Sequence, residues 1–346
     1  MRIIFLTFSF LFLQFSLTAQ AKQSYRVGAI GFYNVENLFD TDDDPKIRDE
    51  EFTPKGSRNW TTELYQTKLD NLAKVVSEMA TDLTPDGISL LGVAEVENRR
   101  VLEDFVLHPS VKSRKYEIIH FDSPDRRGID VALLYQPKYF KVQSARAVAV
   151  KIYEDNGDRK FTRDVLFVSG LFDGDPLHVF VNHWPSRSGG AAASQAYRNA
   201  AAMEVKVLSD SLMKANPKSK IVIMGDLNDD PSSASVKKIL NAKAKTKAVK
   251  PAGFFNPMYS FFKKGIGTLA YRDAWNLFDQ IIISEGLLNS PDDGYRFYKA
   301  QVYSPKYLYQ KTGHFRGYPF RSFGGNTYLG GYSDHFPVYI FLVKSI

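Results

Sequence analysis

Nine short apolar runs with strand character recur along the chain: Val27–Tyr33, Ile88–Ala94, Tyr116–Phe121, Val131–Tyr135, Val165–Leu171, Leu177–Val181, Ile221–Met224, Gln280–Ile283 and Phe336–Val343. Two longer segments read as helices. Over Thr62–Ala80 the apolar positions Leu64, Leu69, Leu72, Val75, Val76 and Met79 keep helical spacing, and the Ala-rich Ala191–Lys214 is closed by Pro217. There is no internal repeat and no Ser/Gly linker, and turn signals are evenly spread. Residues 22–346 are therefore expected to form one domain.

The polar residues that bound these runs carry the topology. Asn34 and Glu36 follow the first run, Glu95 follows the second, Asn182 and His183 follow Leu177–Val181, and Asp226 and Asn228 follow Ile221–Met224 across Gly225. All of these lie at C-terminal strand ends. Asp279 precedes Gln280–Ile283 and Asp334-His335 precedes Phe336–Val343, at N-terminal ends. Antiparallel placement of the later strands brings every one of these groups to one edge, which requires mixed sheets. A doubly wound sheet or a barrel gathers its site at C-terminal strand ends alone and is disfavoured.

Ahead of this series, Arg2 is followed by the charge-free run Ile3–Leu17 and by Ala19-Gln20-Ala21, the small-x-small pattern of a signal-peptidase site. Residues 1–21 are read as a signal peptide cleaved after Ala21, with export to a periplasmic or extracellular location. The run is short for a bilayer span, which takes roughly 20 residues, so a retained anchor helix ranks second. No stable membrane span is expected elsewhere. The chain has no cysteine, which excludes disulfides, thiolate metal sites, a Cys nucleophile and lipid attachment at the cleavage point.

Asn34, Glu95, Asp226, Asn228 and Asp334 offer hard oxygen ligands, the set that suits Mg2+, Mn2+ or Ca2+. His183 and His335 accompany them. HExxH, GxxxxGKS/T and GxSxG are absent, which argues against a zinc hydrolase, a P-loop nucleotidase and a serine-elbow hydrolase. A hard metal, carboxylates and two histidines, with Arg127, Arg187 and Arg198 nearby in sequence, suit hydrolysis of a phosphate ester. Metal and imidazoles stabilise charge on the phosphate while a carboxylate activates water. The formal charge of +7, from 45 Lys and Arg against 38 Asp and Glu, is compatible with an anionic substrate without identifying one.

In order along the chain, Tyr33-Asn34-Val35-Glu36-Asn37, Val93-Ala94-Glu95, Asn182-His183, Gly225-Asp226-Leu227-Asn228, Phe278-Asp279-Gln280 and Ser333-Asp334-His335 resemble the motifs of the endonuclease/exonuclease/phosphatase superfamily. That group includes deoxyribonuclease I, exonuclease III, neutral sphingomyelinases and inositol polyphosphate 5-phosphatases. The resemblance implies an α/β four-layer sandwich, two mixed β-sheets face to face with helices outside. It implies that Glu95 and Asn34 bind the metal, with Glu36 supporting it through water and Asp334 on the metal side. It makes Asp226 and Asn228 the pair that positions and activates water, with Asp226 the first choice of base and the His335–Asp279 pair the second. His335 then contacts the scissile phosphate, and His183 binds phosphate or assists the leaving group. Asn182, Arg127 and Arg187 are expected on the substrate side. The Gln-Glu dipeptide common in the family is Ala94-Glu95 here, which removes one hydrogen bond from around the metal ligand.

The expected activity is an exported phosphodiesterase using Mg2+ or Mn2+, with Ca2+ a third candidate. Nucleic acid is favoured over phospholipid or inositol phosphate, and a non-catalytic binding protein of the same fold ranks last. Asp40, Asp42, Asp43 and Asp44 lack the Gly and closing Glu of a calcium loop and read as a solvated loop. The Lys237–Lys250 stretch reads as a solvated helix face and loop. Phe254, Phe255, Tyr259, Phe261 and Phe262 read as core, and Tyr303–Tyr332 as a candidate substrate rim.

Overall fold

Twelve strands build two six-stranded sheets in the structure, a computed structural model that describes residues 24–154, 156–290 and 294–346. The signal-peptide reading of residues 1–21 lies outside the described residues. The first sheet contains β1 (Tyr25–Leu38), β2 (Leu90–Val96), β3 (Glu117–His120) and β4 (Asp130–Tyr135), together with two strands from the end of the chain. The second contains β5 (Phe140–Val148), β6 (Val165–Phe172), β7 (Asp175–His183), β8 (Ile221–Asp226), β9 (Phe254–Phe255) and β10 (Asp279–Ser284). β11 (Arg296–Val302) and β12 (Val338–Ser345) return to the first sheet. The orders are β11-β12-β1-β2-β4-β3 and β9-β10-β8-β7-β6-β5. Only β1–β2 and β8–β7 are parallel among these pairs. Both sheets are mixed, as the strand-end pattern requires.

The central strands are apolar on both faces because both faces are covered. In β8, Val222 and Met224 enter the core between the sheets while Ile221 and Ile223 enter the core under the helix α3 (Gln195–Ala215). β7 and β10 divide in the same way, with Val179, Val181, Ile281 and Ile283 inward and Phe180 and Ile282 outward. Two-sided burial replaces the alternation of a half-exposed strand with a continuous apolar run. The sheets approach closely at glycines: a Cβ on Gly92 would lie 2.8 Å from Met224 Cε and 3.0 Å from Val181 Cγ1. On the outer face of the first sheet lie α1 (Thr62–Glu78) and α2 (Arg99–Leu107), with Leu72, Val76, Leu102 and Phe105 against Val35, Val93 and Leu134. Asn98 caps α2, its Oδ1 accepting from Val101 N at 3.1 Å.

The strands reach further than their apolar runs. β1 continues through Asn34 and Glu36, β7 through His183, and β8 through Asp226, while β10 begins at Asp279. Backbone pairing does not need apolar side chains, so the ladder carries the polar residues inside the strand ends. Asp226 pairs with His183 on one side and Asp279 on the other, Asn34 with Ala94, and Phe32 with Val338. Asp40 departs from the solvated-loop expectation: it is buried, with Asn98 Nδ2 and Asp42 N donating to it. Lys237, Lys238, Lys245, Lys247 and Lys250 are exposed, and Phe254 and Phe255 are core residues, as expected. No helix among the described residues is long and apolar enough to cross a membrane.

Candidate active site

Two irregularities in the first sheet aim its polar residues. The β1–β2 register shifts between Asn34 and Leu38, and the β2–β4 register between Ala94 and Val96. There Glu36, Asn37 and Glu95 adopt φ of 50°, 53° and 64°. Left-handed backbone costs a non-glycine residue on the order of 1–3 kcal/mol, and a bulge uses it to turn a side chain out of the alternating pattern. In the second sheet Gly225 has a different task. A Cβ there would lie 2.2 Å from the Asn182 carbonyl oxygen, so only glycine lets β8 and β7 run close enough to set Asp226 beside His183.

Side-chain contacts join the two sheets at this edge. Asn34 Nδ2 donates to Asp226 Oδ2 at 3.1 Å, and also to Glu95 Oε1 at 3.1 Å within its own sheet. His335, just before β12, hydrogen-bonds through Nδ1 to Asp279 Oδ2 at 2.7 Å. His183 Nε2 lies 3.8 Å from Glu95 Oε1 and 3.6 Å from Asp226 Oδ2. His335 Nε2 is 3.9 Å from Asp226 Oδ2 and from Asp334 Oδ1. Asn228 N donates to Asp226 Oδ1 at 2.9 Å, while Asn228 Nδ2 is held by the Trp184 carbonyl at 3.0 Å. Ser333 Oγ donates to the Asn34 carbonyl at 2.7 Å and accepts from His335 N at 3.1 Å, locking the Ser-Asp-His turn to β1.

The electrostatics divide these groups into roles. Burial raises the Asp226 carboxyl to about 7, helped by Asp279 and Glu95 and opposed by His335 and the Asn228 amide. Burial works against a charged His335, but Asp279, with Asp226 and Asp334, overcomes it and holds the imidazole well above its ordinary range. His183 goes the other way: burial, then Arg163, Arg127 and His335, keep it neutral. Two histidines in one site thus hold opposite charge states. Glu95, 18% exposed, and Asp334, 24% exposed, are the accessible carboxylates, and Glu95 Oε2 is fixed by Asn37 N at 3.0 Å. A preorganised, reachable carboxylate beside a second carboxylate and a neutral imidazole is a donor set that fits a hard divalent ion.

Several expected residues are committed elsewhere. Asn182 is fully buried, its amide donating to the Met224 carbonyl at 3.0 Å and accepting from Trp184 Nε1 at 3.0 Å, so it braces β7 and does not face substrate. Arg187 is bound to Asn228 O at 2.9 Å and Asp230 Oδ2 at 3.1 Å, which ties its guanidinium to the Gly-Asp-Leu-Asn loop. Arg198 is buried on Asp229 at 2.7 Å. The Glu36 carboxylate accepts from Ser322 N at 2.6 Å and Phe323 N at 3.3 Å, so it holds the 320–334 loop and not the metal position. Asn34 turns its NH2 to the two carboxylates and its Oδ1 to Glu36 N at 3.0 Å. It therefore bridges Glu95 and Asp226 as a donor instead of offering an oxygen beside them. Asp334 stands at the edge with Arg321 on its Oδ2 at 2.9 Å. Arg127 remains near Glu95, chelating Asp125 at 3.1 and 3.2 Å with much of its side chain exposed.

Sequence reasoning missed Arg163 and Lys68. Arg163 is buried and donates to the carbonyls of His183 at 3.1 Å and Trp184 at 2.5 Å, and to Asp125 at 3.2 Å. It lies two residues before the run Val165–Leu171, so a strand-end rule widened by one residue would have found it. Lys68 lies fully buried on the inner face of α1, donating to Ser322 Oγ at 2.5 Å and the Tyr332 carbonyl at 3.3 Å. A lysine inside an amphipathic helix pattern gives no such signal. His120, Asp122 and Asp130 form a further group at the end of β3 and β4, with His120 Nε2 at 3.0 Å from Asp130 Oδ2.

A sequence model of the Endonuclease/Exonuclease/phosphatase family matches residues 29–344. No curated protein sequence matches the chain. Among solved structures, an endonuclease/exonuclease/phosphatase family protein from Bacteroides thetaiotaomicron aligns with a TM-score of 0.55 at 15% identity, covering 93% of this chain and 97% of that one. D. rerio TDP2 complexed with single strand DNA product aligns with a TM-score of 0.53 at 13% identity over 91% and 98% of the two chains. The human Nocturnin catalytic domain with bound sulfate anion gives 0.52 at 12% identity over 94% and 98%. At these identities the likeness establishes the α/β sandwich.

Proposed function

Because the chain belongs to the endonuclease/exonuclease/phosphatase family, and is accordingly a phosphoric ester hydrolase, we propose that it is an exported phosphodiesterase that cleaves nucleic acid with Mg2+, or with Mn2+ in its place. The observation that carries the reading is the buried His335–Asp279 pair at 2.7 Å, set 3.9 Å from Asp226 across the junction of the two sheets. Asp226 takes the proton of the attacking water. A carboxyl raised to about 7 is matched to that task near neutral pH, and its Oδ1 is already held by Asn228 N. His335, kept protonated by Asp279, is the charge that the phosphate oxygens meet, which argues against its acting as the base. Neutral His183 donates an N–H to the phosphate and has no spare proton for a leaving group. Glu95 would hold the divalent ion, with Asp334 on the His335 side. When bound, the ion supplies Lewis-acid neutralisation of the phosphate charge.

Nucleic acid is preferred over lipid because basic groups flank the site, and because the solved D. rerio TDP2 relative carries a DNA product. The test is one screen in Mg2+ over plasmid DNA, RNA, sphingomyelin vesicles, phosphoinositides and bis(p-nitrophenyl) phosphate. Cleavage of DNA or RNA is expected, and hydrolysis confined to vesicles or phosphoinositides would transfer the assignment to those substrates. Export is tested by N-terminal sequencing of protein recovered outside the cytoplasm, which should begin at Lys22.

A further inference from the structure

We infer that the groove beside His183 is a subsite for single-stranded nucleic acid, where Phe161 stacks an unpaired base and Arg126 and Arg127 take the neighbouring phosphates. The inference rests on the phosphodiesterase reading and extends it. The groove has a volume of about 610 Å3, within the roughly 300–1,000 Å3 range of small-ligand sites. It adjoins the catalytic edge through Arg163 and Arg127. Arg163 forms part of its wall while holding the His183 and Trp184 carbonyls, and Arg127 chelates Asp125 at the same place. The mouth carries Arg126, which has no ion-pair partner among the described residues, and Lys160, whose ammonium sits 3.3 Å from Glu154 Oε1 and 5.1 Å from the Tyr197 ring. Phe161 is 49% exposed on this wall, with the Arg159 guanidinium 6.0 Å from its ring centroid.

An exposed phenyl ring between cationic groups has one economical use: a flat π-face for a base whose phosphates lie on the cations. A duplex presents base edges only, so a stacking face selects an unpaired strand. An acyl chain fits poorly, since the aliphatic contribution to the groove is Ile152 and Pro185 against five cationic side chains, Arg126, Arg127, Arg159, Lys160 and Arg163, and three carboxylates, Asp125, Glu154 and Asp158. The test is fluorescence anisotropy of a labelled eight-nucleotide oligo(dT) in EDTA, where binding is read without hydrolysis. Phe161→Ala should weaken binding roughly 5- to 150-fold, the range of losing one stacked base, and Phe161→Trp should restore it. Tyr298→Ala, an exposed aromatic change on β11, should bind like wild type. Arg126→Ala should lower the salt slope by about 0.7, one single-strand phosphate. The same Phe161 change should leave affinity for a blunt duplex unaltered. No binding by wild type, equal binding by Phe161→Ala, or equal losses on single strand and duplex would each overturn the subsite. Hydrolysis of bis(p-nitrophenyl) phosphate by wild type in Mg2+ separates the two claims: its absence counts against the phosphodiesterase reading, whereas the oligonucleotide result counts for or against the groove.

Discussion

Replacing Lys68 by Met should destabilise the protein by about 1–3 kcal/mol at pH 7, the usual cost of leaving buried hydrogen-bonding groups without a partner. The Lys68 ammonium is fully buried, gives hydrogen bonds to Ser322 Oγ and the Tyr332 carbonyl, and lies in the field of Glu36. Glu36 is itself buried, with Arg321 3.7 Å away as its ion-pair partner. Methionine keeps the length of the side chain, so the loss is charge and hydrogen bonding, with packing retained. Glu36→Gln should cost a comparable amount, because it strands the ammonium. The Lys68→Met/Glu36→Gln double variant leaves neither charge buried, and its loss should fall short of the sum by about 2 kcal/mol, inside the range measured for contacting pairs. Urea unfolding followed by tryptophan fluorescence reads this locally, since Trp60 packs 5.4 Å from Phe323 on the loop these groups hold. Additivity within about 0.5 kcal/mol would refute the pairing. The pH dependence adds a second check. Burial, then Asp334, raises Glu36 to about 7, and burial lowers Lys68 to about 8. The native state therefore holds an extra proton between about pH 4.5 and 7 and one fewer between about 8 and 10.5. Stability from this pair falls over the first interval and rises over the second, so the difference curve between wild type and double variant should dip between pH 7 and 8.

Chelation by EDTA should abolish turnover, with Mg2+ or Mn2+ restoring it, and Glu95→Gln should weaken metal binding while shifting unfolding little; full turnover in EDTA would remove the metal site from the mechanism. Asp226→Asn and His335→Ala should each lower kcat by about 10²–10⁴, and the double variant should be little worse than the worse single one, as measured by steady-state kinetics. Burial, with the Asp40 and Asp49 carboxylates adding, raises Glu97 to about 8, so the folded state keeps a proton that the unfolded state loses near 4.5 and stability declines between those values. Glu97→Gln should flatten that decline and raise the urea midpoint at pH 8; an unchanged pH profile would contradict the assignment.

The mixed topology was legible because function had placed polar residues at both N- and C-terminal ends of otherwise unbroken apolar strands. Those strands were unbroken because the core covers both of their faces. The edge strands β5 and β11 escaped detection for the opposite reason. FKVQSARAV and RFYKAQV are half exposed and mix charges into their outward positions, which erases the apolar run. The nine residues of α2 are too few for helical spacing to stand out. At the site, residue type identified Asp226, Asn228, His335, Asp279, His183 and Glu95, which meet at one edge. Residue type could not tell that Asn182, Arg187 and Glu36 are spent on carbonyls, carboxylates and backbone amides. Such commitments depend on which buried groups lack partners, and only the packed structure determines that.

Each of these contacts across the junction takes one group from either sheet: Asn34 with Asp226, His335 with Asp279 and with Asp226, and Glu95 with His183. A chain that has assembled a single sheet therefore owns Asp226 without His335, or the reverse. Competence arrives with the docking event itself and disappears with it. For a phosphoric ester hydrolase, this architecture makes the completed site a property of the docked pair of sheets and of neither sheet alone.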